Sequence, residues 1–391
     1  MHVRKNLKRG SMRPQAPLHR LIPLFGVAIL VLSLIGCTPN WEFTLRTQTG
    51  DAHVVTRETW QQIAKITPSE QKDALPLERV LWHSGIESVE SIEVEGQTFP
   101  WFEVREQAWL LANGKVRIGQ QVYEAGEIDL VPPAEAARGR VHLIDLAPTV
   151  AGALQVRSPR QSSGLSLGNL RARHVAVVAV DGLGYRRYQQ VQGERITPLL
   201  DSLGAPKLGV TVYPSVPQVA LAALATGTTP ERNGVLQPEM SLGDVDTLFH
   251  ALTEAGKTSL VVHLANPVLD LPATTTIGPE QDAAEDTLPG ETTLQQALPV
   301  IREQMPDLLL VHMGGLEQVA RAHGVRSDEE EAALTTLDAR IHAIIEALPS
   351  DTLLLIVGSH GLHGIAQDDP TAESGSLLAP DMFVPVWVVQ I

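Results

Sequence analysis

The residues best placed to do chemistry lie in two nearby segments. Val175–Tyr185 reads VAVVAVDGLGY: an unbroken apolar run, rich in Val, that ends in an acid between a strand and two glycines. Such a run predicts a parallel strand buried on both faces. It delivers Asp181 to the carboxyl edge of a sheet, where α/β proteins place their ligands. Tyr213–Val235, YPSVPQVALAALATGTTPERNGV, predicts a turn, a small-residue helix and a second turn, with Ser215 in the first turn. Cysteine chemistry is confined to one position, because Cys37 is the only cysteine. That excludes an internal disulfide, a thiolate metal site and a cysteine nucleophile from the body of the chain.

The elements needed to position these groups can be read from the pattern. From Arg173 onward apolar strands alternate with helices. Strands are predicted at Val175–Val180, Gly209–Val212, Ser259–His263, Leu308–Met313, Leu353–Val357 and Val384–Val389. Helices are predicted at Ile196–Leu203, Val219–Thr226, Leu248–Ala255, Thr293–Gln304 and Asp328–Leu348. This is an α/β fold, a mostly parallel sheet with helices on both faces. Gln281–Glu291 reads as an acidic loop, and Glu329–Glu331 as a solvated helix start favoured by the dipole.

Residues 40–133 follow another rule. Short alternating runs (Glu42–Arg46, His53–Thr56, Ser91–Glu95, Val116–Ile118, Glu127–Val131) are separated by turn signals at Thr49-Gly50-Asp51 and Ala112-Asn113-Gly114. Five of the six tryptophans fall here (Trp41, Trp60, Trp82, Trp101, Trp109), which gives a small β-rich α+β domain material for a core. Leu75–Gly85 reads as an amphipathic helix closed by Gly85. The expected organisation is therefore a leader at 1–36, a small domain at 40–133, a Pro/Ala/Arg linker, and an α/β domain at 141–391.

VDGLGY, YPS-x10-TG-x2-PE-x-NG, LLLVHMGGLE, LDARI and SHG, in that order, resemble the alkaline phosphatase superfamily, nearest its type I phosphodiesterase/nucleotide pyrophosphatase branch. The resemblance covers about Val141–Ile391. It implies an alkaline phosphatase-like fold and phosphoester hydrolysis with two metal ions, usually zinc, that lower the pKa of a Ser or Thr hydroxyl or of bound water. Carried over position by position, it makes Asp181 a metal ligand. The usual nucleophile position falls on Pro217, which has no hydroxyl, and Ser215 lies two residues earlier. The Asp-x3-His ligand pair becomes Glu317 and Arg321; His323 follows two residues on. The Ser-Asp-His-Gly turn becomes Gly358-Ser359-His360-Gly361, keeping His360 but not the Asp. A further His is expected in a Gly-rich loop. His363 comes only three residues after His360, and none follows it. Asp181, His360 and Glu317 remain as ligands, with His323 a displaced fourth, and Arg321 is suited to hold a phosphate.

Val141–Leu167 resembles a segment that in many relatives closes the domain after a strand like Phe383–Val389. Here it precedes the domain, an order that a circular permutation would produce. Asp145 is expected to cap its helix, with Pro148 in the first turn. The order of elements in residues 75–133 also resembles part of the sulfite-oxidase-type molybdopterin fold, whose molybdenum-ligating Cys is absent here.

Residues 1–20 carry six basic residues and no acid, and Leu21–Gly36 is apolar and ends Leu34-Ile35-Gly36-Cys37. This resembles a bacterial lipoprotein signal, implying cleavage before Cys37, lipid on its sulfur and a place in the cell envelope outside the cytoplasm. Removing those charges takes the formal net charge from −15 to −21. That argues against nucleic acid and anionic lipid as partners. Three readings follow: a catalytically degenerate binding or scaffold protein with no cofactor; an active phosphodiesterase with one zinc or other divalent metal on Asp181, Glu317, His323 and His360, attacking through Ser215 or water; or a chain whose N-terminal domain is the partner-binding part. A phosphate ester or a protein is the expected ligand.

Overall fold

In the computed structural model the described residues are 40–48, 50–66, 71–279, 288–366 and 369–391. The leader, Cys37, Thr49 and residues 281–287 of the acidic loop lie outside them. Residues 40–391 form one compact unit. No helix among the described residues is long and apolar enough to cross a membrane.

The N-terminal part builds strands β1 (Glu42–Thr47) and β2 (Ala52–Thr56), helix α1 (Arg57–Ile66), β3 (Ala74–Pro76), α2 (Leu77–His83), β4 (Ser91–Val94), β5 (Gln97–Pro100), α3 (Trp101–Val104), β6 (Ala108–Leu111), β7 (Val116–Ile118), β8 (Gln121–Tyr123) and β9 (Glu127–Val131). They form a five-stranded sheet, β2-β1-β9-β4-β5, and a four-stranded one, β3-β6-β7-β8. The helix expected over Leu75–Gly85 starts later. Leu75 precedes a proline, which favours extended backbone, and it pairs with Leu110 in β3–β6.

The rest of the chain adds β10 (Arg140–His142), α4 (Leu146–Ala153), β11 (His174–Val180), α5 (Tyr185–Val191), α6 (Pro198–Ser202), β12 (Lys207–Val210), α7 (Pro217–Thr226), α8 (Pro230–Asn233), α9 (Leu248–Glu254), β13 (Ser259–His263), β14 (Thr275–Ile277), α10 (Glu291–Gln304), β15 (Leu308–Met313), α11 (Leu316–His323), α12 (Asp328–Ala347), β16 (Thr352–Gly358), β17 (His363–Ala366), β18 (Asp369–Glu373), α13 (Ala379–Met382) and β19 (Phe383–Gln390). Eight strands make the main sheet in the order β10-β12-β19-β16-β11-β15-β13-β14. Only β19 runs antiparallel to its neighbours. The central strands are apolar throughout because helices cover both faces: α4, α7 and α9 contribute to one apolar layer, α5, α10, α11 and α12 to the other. The fold is the expected α/β class.

Val141–Leu167 joins the sheet edge as β10, beside β12, so that β12 separates it from β19. Its helix α4 shares an apolar layer with Val384 and Val386 of β19. Asp145 does not cap α4 with its side chain. Its carboxylate instead accepts from the backbone of Leu165 (2.7 Å) and His142 (2.9 Å), folding the following loop back onto the helix start.

Two polar contacts tie neighbouring elements together. Arg187 on α5 makes a buried bidentate pair with Glu330 on α12, with contacts of 2.5–2.9 Å. The Arg187 and Glu330 side chains are 9% and 2% exposed, so either one alone would be a stranded charge. Arg187→Leu is expected to cost about 3–5 kcal/mol in urea unfolding; a loss below about 1 kcal/mol would show that the pair is not structural.

His142 sits between Asp145 (3.7 Å) and Glu87 (2.6 Å), and Arg140 reaches the other Glu87 oxygen at 2.7 Å. The bond to Asp145 and then that to Glu87 hold the His142 imidazolium up to about 9 against the opposing effect of burial. A histidine raised in the folded state stabilises fully below its unfolded value of about 6.5 and loses that contribution as pH climbs towards 9. The side chain is 44% exposed, so solvent screening limits the effect to under about 1 kcal/mol. The stability difference between the native protein and His142→Ala should shrink from pH 6 to pH 10; a difference constant across that range refutes the assignment.

Candidate functional site

Three neighbouring parallel strands end at one edge. β11 lies between β16 and β15, with Val180 in register with Gly358 and Met313. Asp181 therefore emerges beside the loops that follow β15 and β16, the carboxyl-edge position expected from the sequence. Gly182 takes a left-handed φ of 81°, and a Cβ there would lie 3.1 Å from the Glu317 backbone nitrogen. Only glycine allows the start of α11 to close onto the end of β11.

Asp181 is 4% exposed and both its oxygens are taken. Oδ2 lies 2.6 Å from Nε2 of His312, and Oδ1 accepts from the Ser359 hydroxyl at 2.6 Å. His312 is the penultimate residue of β15 and points into the interior, 1% exposed. Its Nδ1 lies 3.2 Å from Nδ1 of His263, its register partner at the end of β13. The contacts run on as a chain Ser359–Asp181–His312–His263. Burial first, and then the neighbouring imidazole, push His263 down to about 4, so it is neutral at neutral pH.

A second cluster lies at the start of α11. Glu317 Oε1 accepts from Arg321 Nη2 (2.7 Å) and Nε (3.0 Å), one helical turn on, and from the Ser374 hydroxyl (2.9 Å). Glu317 Oε2 lies 3.4 Å from Nε2 of His360, an ion-pair contact too long for a good hydrogen bond. His360 is fully buried, and its Nε2 has no hydrogen-bond partner. Burial opposes charge on both members, yet mutual attraction prevails. The His360 charge, with Arg321, holds Glu317 well below the carboxylate range, and Glu317 lifts His360 to about 9.

The remaining predicted residues have other occupations. Arg321, besides Glu317, donates to Ser374 Oγ (3.1 Å) and to the carbonyl of Ala372 (3.3 Å), pinning α11 to β18. His323 closes α11 six residues beyond Glu317, which turns it to a different face of the helix. Ser215 is fully buried; its hydroxyl donates to Ser376 O (2.9 Å) and accepts from Gly375 N (3.1 Å). It ties two loops together and presents no free hydroxyl. Pro217 is the first residue of α7, where its fixed φ suits the helix start and no donor is lost.

Sequence reasoning missed three residues of this edge. His312 and His263 lie at or next to the ends of apolar strands, LLLVHM and SLVVH, and a histidine closing such a run was the available signal. The third is Asp381, 0% exposed, which accepts from His363 Nδ1 (2.8 Å) and from Ser376 Oγ (2.7 Å) and N (3.1 Å). His363 Nε2 lies 3.0 Å from Arg105 Nη2. A guanidinium only donates, so Nε2 accepts and Nδ1 carries the proton to Asp381. A Cβ on Gly361 would collide with the carbonyl of Pro380, so glycine is required where this loop crosses α13.

A metal centre needs at least three converging N or O ligands. Among the described residues no three His, Cys, Asp or Glu side chains are grouped to hold an ion. Asp181, Glu317, His323 and His360 are not grouped in this way among the described residues. Asp181 is bonded to His312 and Ser359, and Glu317 to Arg321 and Ser374.

An open α/β sheet with acidic and imidazole side chains gathered at its carboxyl edge is the arrangement the site presents, and that edge is where α/β folds place ligands. Residues 270–382 match the family described as type I phosphodiesterase/nucleotide pyrophosphatase. Over 69 residues the chain is 32% and 30% identical to the catalytic subunit of GPI ethanolamine phosphate transferase 3 from Mus musculus and Homo sapiens. Those matches span 18% of this chain and only 6% of each relative. Similar solved structures include a phosphonoacetate hydrolase from Sinorhizobium meliloti 1021 (17% identity, TM-score 0.37, 50% of this chain and 58% of that one). They also include murine ectonucleotide pyrophosphatase/phosphodiesterase 5 (14%, 0.41, 50% and 58%) and a putative sulfatase from Bacteroides thetaiotaomicron VPI-5482 (15%, 0.44, 56% and 65%).

Proposed function

We propose that this protein is a catalytically degenerate relative of the type I phosphodiesterases that works as a binding or scaffold protein. We further propose that lipid on Cys37 holds it in the bacterial cell envelope outside the cytoplasm. The observation that carries the reading is the state of the two acids. The donors around Asp181 and Glu317 are the chain's own side chains, His312 and Ser359 for one, Arg321 and Ser374 for the other. Pro217 at the start of α7, where the resemblance puts a hydroxyl, supports it further. The net charge of −15 disfavours nucleic acid as the partner.

One observation favours the rival, a one-metal phosphodiesterase: the unpartnered Nε2 of buried His360 beside Glu317. The two readings separate in one experiment. Purified full-length protein, incubated with zinc or manganese and then desalted, is assayed for bound metal and for turnover of aryl phosphomono- and diesters. The expected result is far less than one ion per chain and no turnover above buffer. Metal-dependent hydrolysis abolished by Asp181→Ala would establish the rival instead. Pro217→Thr is expected to remain inert, since restoring a hydroxyl releases neither acid from its partners.

A further inference from the structure

One feature the degenerate edge does not use is the seam between the N-terminal sheets and the α/β sheet. A cavity of about 240 Å³ opens there, walled by Ile66, Arg79, Trp82, Tyr213, Glu231 and Met240 among others. It is smaller than the roughly 300–1,000 Å³ of sites for drug-sized ligands, so it suits a single ring. Trp82, His83 and Glu231 also line a neighbouring cavity of about 320 Å³, so the two run on from each other along α2.

Two aromatic rings in this wall are fixed by their polar ends. Trp82 Nε1 donates to Glu231 Oε1 at 2.7 Å, and the Tyr213 hydroxyl donates to buried Glu78 at 3.3 Å. The ring centroids are 6.3 Å apart and tilted by 45°, so the rings do not stack flat on each other. A platform whose rotamers are already locked binds without the cost of ordering it. Around it stand one guanidinium, Arg79, and one carboxylate, Glu231, with the polar His83 and Gln237 and the apolar Ile66, Pro214, Leu236 and Met240.

We propose that this seam binds a neutral saccharide, one pyranose ring against Trp82 and Tyr213 and the next along the adjoining cavity. A pyranose has an apolar C–H face that packs on an aromatic ring and a rim of hydroxyls that both donate and accept. Glu231 and Arg79 meet those two needs. The balance of one positive and one negative group selects a neutral ligand, and the acidity of the whole chain works against a polyanion. An extended peptide is the less suited occupant. Such peptides add to a strand edge, and the cavity holding the two rings is lined by helices α1, α2 and α8 and by loops, with no strand residue. This proposal concerns a site apart from Asp181 and Glu317, so it stands or falls separately from the loss of catalysis.

The test is titration of the full chain with three neutral hexasaccharides, one of N-acetylglucosamine and one each of α- and β-linked glucose, followed by calorimetry and by tryptophan fluorescence. Saturable binding to at least one is expected. Leu236→Trp, which fills the cavity from an exposed loop, should weaken it at least about tenfold, about 1.4 kcal/mol, with the melting temperature unchanged. Glu231→Gln, which keeps the acceptor for Trp82, should weaken it less. No saturable binding to any of the three at about 10 mM, binding indifferent to Leu236→Trp, or binding only of aromatic dodecapeptides used as a control would each overturn it.

Discussion

Asp181→Ala should lower the unfolding free energy by about 3–5 kcal/mol, measured by urea denaturation of the protein after chelation. The carboxylate is buried between His312 and Ser359, each at 2.6 Å. Removing it takes away the partner of a buried hydroxyl and a buried imidazole nitrogen, and it leaves a void beside both. The sign separates the two functional readings. Acids clustered for catalysis repel one another in the metal-free state and usually cost stability, so removing one is neutral or stabilising. Here the acid is already hydrogen-bonded by its own neighbours, and its removal is a loss. A metal-free Asp181→Ala protein as stable as the native one would argue that Asp181 is held ready for a ligand.

Deleting residues 40–133 should abolish folding of the remainder, and residues 40–133 alone should not fold either. The small sheets share their buried cluster with one end of the α/β part, which has two further apolar layers of its own. Phe43, Leu45, Trp101 and Leu110 share one buried cluster with Tyr185, Leu377, Met382 and Phe383. The loop before α13 is held from across this seam. Leu377 donates its N–H to Glu78 (3.0 Å) and accepts from the Ser88 hydroxyl (2.9 Å), while Arg105 reaches His363. Burial pushes Glu78 up from the usual carboxylate range, which leaves it dependent on these partners. Uncovering Tyr185, Leu377, Leu378, Met382 and Phe383 forfeits up to about 1.5–3 kcal/mol for each side chain. The sum is comparable to the roughly 5–15 kcal/mol that holds a typical protein folded. Circular dichroism and hydrogen exchange of both fragments provide the check. A cooperative thermal transition in either fragment would mean that the shared cluster is dispensable.

The α/β architecture was legible because parallel strands covered on both faces must be apolar at every position. Ser259–His263 and Leu308–Met313 occur with the bounds the sequence predicts. Asp181 was legible for the same reason, as the first charge after such a run. The small strands around Pro76 were not, because Leu75 fits a helical stripe as well as it fits a ladder, and only pairing with Leu110 decides between them. Asp145 looked like a cap from its place before a helix, but its carboxylate serves a loop twenty residues away.

The sequence by itself determined the sheet-and-helix alternation, the place of Asp181 at a strand end, and the proline at the start of α7. Each is a local matter of period, chain direction or missing hydroxyl. Tertiary structure alone decided what the acids do. Whether Asp181 waits for a ligand or is spent on His312 and Ser359 depends on groups 131 and 178 residues away in the chain. They meet because β15 and β16 flank β11, and no local pattern records that register.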